Sequence, residues 1–386
     1  MIKSLAVLGA SGSVGSQVLE VLENRDDYCL VAISCWSNIE FVKKVLNKFS
    51  SVKFVTIRDK SSVELLKNQF KNVSFYYGDE GLIKMIDEAN CDVYENSILG
   101  FAGLFPSIEV LKQNKVLLLS NKESLVVGGE YINSLLKDGF GKLFPIDSEH
   151  VAIKKCLYGK KVEDIDYIVL TASGGKFFDY SRKDLENVSF DDCFSNPNWS
   201  MGKKISVDSN TMMNKMFEIV EAHYLFNLPY EKIHVLVDRN SYVHSFVVFN
   251  DETRLQVGKP TMKDPIIYAL NFGLPEDLKM GFKDVEINTE NNYKFMKVIS
   301  SRFPVLKLAK KIINEKGCTG CVINAIDEVV VDAFLKNEIE FKDIDVMILS
   351  IIKEYKFNND FSLNNLKEID LNARSYATEY IKKMRR

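Results

Sequence analysis

The sequence lacks several features that would place the protein in a specialised class. Its 386 residues contain no run of 18 uncharged apolar residues, so no transmembrane helix is predicted. The formal net charge is only −3, and residues of both signs are spread along the chain rather than gathered in a basic stripe. We therefore expect neither a membrane nor a nucleic acid as partner, while a small anionic ligand stays possible.

A disulfide framework is also lacking. The seven cysteines are odd in number, scattered and mostly set in apolar stretches, as is typical of reduced thiols in a cytoplasmic protein. The sequence passes from Met1 directly into a strand-like segment, so no targeting peptide is expected in this numbering. The chain length predicts two or three domains, and the 46% of hydrophobic residues is enough for a large core.

The hydrophobic pattern changes along the chain and predicts an α/β protein. Short apolar runs alternate with helical patterns over residues 1–147, which favours a Rossmann-like domain with a parallel sheet. Residues 148–272 include three consecutive strand-like runs, which indicates a second α/β domain with a mixed sheet. Residues 273–300 are polar and weakly patterned, so we interpret them as a linker. Residues 301–386 show helical periodicity and predict a helical bundle.

A glycine-rich turn follows the first predicted strand. Gly9 would allow the tight turn, Gly12 would let the backbone approach a pyrophosphate, and Gly15 would let the following helix pack closely on the strand. The helix N-terminus would present N–H groups to the anion. The alternative is a glycine turn that binds no ligand.

The end of the second predicted strand indicates the type of dinucleotide. NAD-binding proteins usually carry an acid there for the ribose hydroxyls, whereas this chain has Trp36, Ser37 and Asn38. A 2′-phosphate would meet no repulsion, and Ser37 or Asn38 could donate to it, so NADP is favoured although the turn holds no Arg or Lys. Trp36 is either an adenine-stacking residue or a partly buried core residue.

Acidic side chains then suggest a site for Mg²⁺ or Mn²⁺. Asp147 and Glu149 follow a predicted strand, and continued extension would point both to one side. Glu218, on a predicted helix over residues 209–226, is the candidate for a third oxygen ligand. The alternative role of Asp147 and Glu149 is capping of a helix, and His150 is expected to be structural.

A phosphate site is predicted nearby in the sequence. Ser173 and two glycines follow a strand and could form an anion nest. Asn214, Lys215 and Glu218 share one face of the predicted helix, for which Asp208 or Ser209 would be the N-cap. A solvated polar face is the alternative. Between these segments Trp199 lies in a loop with Pro, Gly and Ser, and it would either cover a ligand as a lid or pin the loop to the core.

Together these segments identify a resemblance to the 1-deoxy-D-xylulose 5-phosphate reductoisomerase family. The matching motifs cover the chain in order: Leu8–Gly15, Asn121–Ser124, Pro145–His150, Ser173–Gly175, Pro197–Ser209, Thr211–Lys215 and Asn324–Glu328. The resemblance implies an NADPH-binding domain over 1–147, a catalytic and dimerising domain over 148–272 and a helical bundle over 301–386 in a homodimer. It implies that NADPH and Mg²⁺ or Mn²⁺ serve to rearrange and reduce 1-deoxy-D-xylulose 5-phosphate to 2-C-methyl-D-erythritol 4-phosphate, in non-mevalonate isoprenoid synthesis.

The resemblance also implies roles for individual residues. The catalytic candidates are Glu149, Lys122, Trp199 and His244, and the metal ligands are Asp147, Glu149 and Glu218. The cofactor-binding candidates are Ser11, Gly12, Ser13, Val14, Ser37, Asn38, Asn121, Glu123 and Gly202. The substrate-binding candidates are Lys122, Ser148, Glu149, Ser173, Asn196, Ser209, Asn214, Lys215 and Glu218.

The chain departs from the family pattern at three places. Asn196 stands where the family usually has a histidine, Trp36-Ser37 replaces a common Gly-Lys pair, and Lys176 replaces a proline. The departures at Asn196 and Trp36 motivate one rival hypothesis, a reductase of the same architecture for another phosphorylated ketose or aldehyde. A second rival hypothesis is a non-catalytic binding protein that keeps NADP. The retained acidic residues argue against the second.

Overall fold

The computed structural model describes residues 2–194, 202–274, 293–357 and 361–384. These residues form two compact units. The first unit comprises residues 2–124, 131–147 and 262–274, and the second comprises 125–130, 148–194, 202–261, 293–357 and 361–384. Among the helices of these ranges, none combines the length and the apolar character that crossing a membrane requires.

The first unit is built on a seven-stranded parallel sheet, as predicted. Its strands are β1 (Lys3–Leu8), β2 (Tyr28–Ser34), β3 (Phe54–Ile57), β4 (Ser74–Tyr77), β5 (Val93–Asn96), β6 (Val116–Leu119) and β7 (Lys142–Pro145), in the spatial order β4-β3-β2-β1-β5-β6-β7. The helices that connect them are α1 (Ser13–Leu22), α2 (Ile39–Lys48), α3 (Lys60–Gln69), α4 (Gly78–Ala89), α5 (Leu104–Lys112) and α6 (Glu123–Lys137). The strand order reverses at β1, which has β2 on one side and β5 on the other. Ligands of open parallel sheets bind at the carboxyl ends of the strands at such a reversal.

The second unit contains a five-stranded mixed sheet, which confirms the second predicted sheet type. Its strands are β8 (Ile165–Ala172), β9 (Ile233–Asp238), β10 (Val243–Phe249), β11 (Thr253–Val257) and β12 (Phe295–Lys297), in the order β11-β10-β8-β9-β12. Strands β8 and β9 are parallel, and the other pairs are antiparallel. The range 273–300 is not linker throughout, because β12 pairs with β9 there; residues 275–292 lie outside the described residues.

The remaining helices are α7 (Ser148–Cys156), α8 (Lys203–Thr211), α9 (Met213–Phe226), α10 (Lys263–Leu270), α11 (Lys307–Glu315), α12 (Thr319–Leu335), α13 (Ile344–Glu354) and α14 (Leu366–Met384). The prediction of one helix over 209–226 was wrong, because Met212 adopts a left-handed conformation with φ +67° and separates α8 from α9. The Thr211 hydroxyl donates to helix carbonyls, of which that of Val207 lies 3.2 Å away, and such local bonds compete with regular helix geometry.

The boundaries of the two units do not coincide with those of the four predicted ranges. Helix α10 belongs to the first unit, where Ile266 and Ile267 join the same apolar cluster as Val18 of α1. The helical C-terminal region is present as predicted, but it belongs to the second unit, where α11 packs on α9, and α12 packs on α13 and α14. Apolar faces of helices distant in sequence complete these cores, and segment composition alone does not reveal such pairing.

Candidate active site

The glycine turn of the first unit has the geometry that the sequence predicts. Gly9 has φ +85°, and a Cβ there would lie 2.9 Å from the Ser97 carbonyl group. A Cβ on Gly15 would lie 2.5 Å from the Gly9 carbonyl oxygen, so only glycine lets α1 pack this closely. Gly12 is the N-cap of α1 and has no side chain to cap it. The first N–H groups of α1, at Ser13 and Val14, can therefore serve an anion.

The turn after β2 lies beside this loop. The Cys35 thiol donates to the Ser11 hydroxyl over 3.1 Å, which joins the predicted pyrophosphate loop to the predicted ribose turn. Asn38 caps α2, since its Oδ1 accepts the Phe41 N–H at 3.0 Å, and this role uses its carbonyl oxygen rather than its amide N–H groups. The edge of the parallel sheet that is formed by the carboxyl ends of its strands thus carries Ser11, Gly12, Ser13, Val14, Ser37 and Asn38.

Asn121, Lys122 and Glu123 follow β6 at the same edge. The Asn121 side chain donates to the Gly100 carbonyl and to Glu123, each at 3.0 Å, and it also accepts the backbone N–H of Ser124. A Cβ on Gly103 would come within 2.5 Å of this amide. Lys122 forms a buried ion pair with Asp147, which follows β7. Sequence reasoning paired Asp147 with a metal and missed this ammonium partner 25 residues away.

A second acidic group lies between α7 and α9 in the second unit. The Lys215 ammonium donates to Glu149 at 2.8 Å and also contacts Glu218 and the Thr171 carbonyl oxygen. Asn214 donates to Glu218 from the same face of α9. Carboxylate oxygens of Glu149 and Glu218 approach within 4.8 Å of each other. The shared face that the i, i+1, i+4 spacing of Asn214, Lys215 and Glu218 predicted is therefore present.

The two carboxylates of this group keep the Lys215 ammonium charged. Lys215 is buried, which by itself would lower its pKa, but the Glu149 and Glu218 carboxylates more than offset burial and raise the pKa above its ordinary value. Carboxylate oxygens are the ligands that Mg²⁺ and Mn²⁺ prefer, so Glu149 and Glu218 have the chemistry to hold a divalent cation.

The local structure that places Glu149 in this group differs from the prediction. Strand β7 ends at Pro145 and α7 begins at Ser148, so Glu149 stands in the first turn of a helix rather than in extended chain. The Ser148 hydroxyl donates to Glu149 at 2.5 Å. His150 is fully buried, as expected of a structural residue; its Nε2 lies 3.0 Å from the Glu218 carbonyl oxygen and its Nδ1 lies 3.3 Å from Glu221.

The predicted anion nest corresponds to a loop of Ser173 and two glycines with positive φ, Gly174 at +81° and Gly175 at +66°. Two residues that sequence reasoning did not single out for this loop hold it. Asn210 of α8 accepts the Lys176 N–H at 2.7 Å, and the Arg239 guanidinium donates to the carbonyls of Ser173 and Gly175. Arg239 lies 64 residues beyond the loop, so no local signal marks it.

The remaining candidate residues are not part of the groups described above. Ser209 lies inside α8 rather than at a helix start, because that helix begins at Lys203 with Gly202 as its N-cap. His244 lies at an irregularity in the pairing of β10 with β11, with its Nε2 3.2 Å from the Lys259 carbonyl oxygen. Asn196 and Trp199, and with them the predicted lid, lie outside the described residues.

Comparison with known proteins identifies the family to which this chain belongs. Three domain models of 1-deoxy-D-xylulose 5-phosphate reductoisomerase match residues 5–129, 143–226 and 257–376. The reductoisomerase of Geobacillus sp. (strain WCH70) is 38% identical over 379 residues, which is 97% of this chain and 99% of that protein. This chain belongs to the 1-deoxy-D-xylulose 5-phosphate reductoisomerase family.

Solved reductoisomerase structures share the fold over the whole chain. The enzyme from Zymomonas mobilis in complex with NADPH has a TM-score of 0.89 and 31% sequence identity, covering 99% of each chain. A reductoisomerase in complex with NADPH, fosmidomycin and magnesium has a TM-score of 0.90 and 31% identity, covering all of both chains. The resemblance inferred from the motifs is confirmed.

Proposed function

We propose that this reductoisomerase converts 1-deoxy-D-xylulose 5-phosphate to 2-C-methyl-D-erythritol 4-phosphate, using NADPH and Mg²⁺ or Mn²⁺, in non-mevalonate isoprenoid biosynthesis. The observation that carries the proposal is the group of Glu149 with the buried Lys215 and Glu218, in a chain related over its full length to proteins of that name. A related structure holds NADPH and magnesium together with fosmidomycin.

The dinucleotide is assigned to Ser11, Gly12, Ser13, Val14, Ser37 and Asn38 at the carboxyl ends of the parallel strands, with Asn121 and Glu123 after β6 and Gly202 as further contacts. The support is local geometry. The tight turn at Gly9 brings the uncapped N-terminus of α1 to the carboxyl end of β1. A pyrophosphate placed there would accept backbone N–H groups and gain from the helix dipole.

The metal ligands are assigned as Asp147, Glu149 and Glu218. Glu149 and Glu218 already share one ammonium, and Asp147 is separated from Glu149 by a single residue of chain. The oxygen-only donor set fits a hard divalent cation. When bound, such a cation would act as a Lewis acid toward the substrate carbonyl and stabilise the enolate-like charge of the rearrangement.

The surrounding side chains would bind and orient the substrate. Lys215 would supply positive charge for the substrate phosphate, and Asn214 would add directional hydrogen bonds. Ser148, Ser173 and Ser209 would hold hydroxyl or phosphate oxygens, together with Lys122 and Asn196. Trp199 is assigned to closure over the substrate, and His244 is assigned as a catalytic residue, as the family resemblance implies. Water exclusion by such closure strengthens every electrostatic contact in the site.

Two finer assignments accompany this function. We infer a homodimer, for which β11 offers support as an edge strand of the mixed sheet with Leu255 exposed, since unpaired edges favour pairing with another chain. We also infer a cytoplasmic location, supported by the cysteines, all of which are free thiols. Sedimentation of the purified protein and fractionation of cells test these two inferences.

The decisive experiment measures NADPH oxidation with 1-deoxy-D-xylulose 5-phosphate before and after removal of divalent metal. We expect activity only with Mg²⁺ or Mn²⁺, and at least about a 100-fold lower kcat/KM in Glu149→Gln and Glu218→Gln, because each change removes a carboxylate ligand without changing side-chain size. Calorimetric titration with Mn²⁺ should show the same two variants losing metal affinity.

The matched control is Glu163→Gln, which changes an exposed acid outside this group and should leave activity and Mn²⁺ binding intact. Full activity after chelation would refute the metal assignment. Turnover of a different phosphorylated ketose, with none of 1-deoxy-D-xylulose 5-phosphate, would instead favour the rival hypothesis of another substrate on the same architecture.

A further inference from the structure

The structure places a basic residue beside the turn in which the sequence shows none. Arg58 directly follows β3, the neighbour of β2 on the side away from β1. Ser34 and Thr56 are paired in register at the ends of these strands, and the Arg58 N–H continues the ladder by donating to the Trp36 carbonyl at 2.9 Å. Arg58 is therefore fixed opposite the turn that begins with Trp36.

The side chains of this pair lie close together and are open to solvent. The Arg58 guanidinium carbon lies 5.4 Å from the centre of the Trp36 ring, within the range of a cation–π contact. Trp36 is 54% exposed and the Arg58 side chain 59% exposed. Trp36 is thus not the partly buried core residue that one sequence hypothesis allowed.

The neighbouring charges leave the guanidinium able to bind an anion. Its ion pair with Asp59 spans 3.9 Å between two exposed side chains, and such pairs contribute little in water. The turn itself carries no carboxylate to repel a phosphate, and the Asn38 carbonyl oxygen is engaged in capping α2. An arginine near the end of the second strand is the group that accommodates a 2′-phosphate in dinucleotide-binding folds.

We infer that Arg58 determines the cofactor specificity of this enzyme by binding the 2′-phosphate of NADPH, with the Trp36 ring holding the guanidinium in place. The inference rests on the proposed function for its use of NADPH. Arginine suits the role because its planar fork gives two parallel hydrogen bonds to a phosphate and stays charged at any working pH. The basic residue thus follows β3 and does not lie in the turn after β2.

The test compares binding of 2′,5′-ADP and 5′-AMP, two adenosine probes that differ only in the 2′-phosphate, to the full-length protein by titration calorimetry. Arg58→Ala should weaken 2′,5′-ADP binding by about 10- to 100-fold, the range of a lost charge-assisted bond, with 5′-AMP binding unchanged. Arg58→Lys should keep part of the preference. In turnover, Arg58→Ala should raise the KM for NADPH, leave kcat at saturating NADPH unchanged, and leave kcat/KM with NADH unchanged.

The control variant is Lys67→Ala, which removes an exposed positive charge at the far end of α3 and should keep the wild-type preference. Because Arg58 is exposed, its substitution should not impair folding. A variant Arg58→Ala that still prefers 2′,5′-ADP as strongly as the wild type, or that loses both probes equally, overturns the inference. Failure of the proposed function would look different, since wild-type protein would then not oxidise NADPH with the substrate.

Discussion

Glu95 should make the stability of this protein fall as the pH rises. It lies on β5, between β1 and β6, and is fully buried. Its carboxyl oxygens face the hydroxyls of Ser120 at 2.8 Å and Ser97 at 3.2 Å. Burial raises the pKa of Glu95 to about 8, although both hydroxyl groups act in the opposite direction. The folded protein therefore holds this carboxyl protonated at neutral pH.

The magnitude follows from linkage between proton binding and folding. An unfolded glutamate releases its proton near pH 4.5, whereas the folded one retains it up to about pH 8. Over this window the unfolded state binds fewer protons, so stability falls with rising pH, and it levels off above the folded pKa. A difference of about 3.5 in pKa at 1.36 kcal/mol for each unit gives about 5 kcal/mol as an upper bound. Glu95→Gln removes the titration but keeps the size and hydrogen-bonding capacity of the side chain.

The assay is urea unfolding of the wild type and Glu95→Gln at intervals from pH 5 to pH 9. We expect similar free energies of unfolding near pH 5 and an advantage of at least about 2 kcal/mol for the variant at pH 8, since all other titrating groups are common to both proteins. Parallel pH profiles of the two proteins would refute the reasoning, because the carboxyl would then ionise equally in the folded and unfolded states.

Two further pairs of substitutions test packing and charge pairing in the second unit. Gly175→Ala should cost more than about 2 kcal/mol of unfolding free energy, because φ is +66° and the new Cβ would lie 2.5 Å from the Asn210 amide oxygen. The control Gly159→Ala, at φ +74° with open space around it, should cost only about 1–2 kcal/mol. Equal losses in urea unfolding would contradict the packing argument, because backbone conformation alone would then account for both. Lys204→Met should cost about 3–5 kcal/mol of unfolding free energy, since the Lys204 ammonium lies 2.8 Å from the fully buried Asp327 carboxylate. Adding Asp327→Asn should recover much of this loss. A double variant as unstable as the single one would contradict the ion-pair explanation.

The parts of the fold that were predictable are those with a strong local pattern. The alternation over residues 1–147 corresponds to the parallel sheet, and the three consecutive strand-like runs of residues 148–272 correspond to β9, β10 and β11. Strands β4 and β5 have weaker local patterns: β4 lies at the sheet edge with its outer residues exposed, and β5 ends in Glu95 and Asn96, which favour strands poorly. The break at Met212 was missed because a methionine gives no sign that it adopts a left-handed conformation.

The sequence by itself determined the α/β class, the glycine turn and the identity of the acidic and basic residues at the site, because periodicity and conformational requirements of glycine act over a few neighbouring positions. Tertiary structure alone decided which of the distant side chains meet: Lys122 with Asp147, Lys215 with Glu149, and Arg58 with Trp36. The two residues of each pair lie on, or shortly after, different strands or helices. Such electrostatic contacts depend on distances of a few ångströms that sequence separation does not encode.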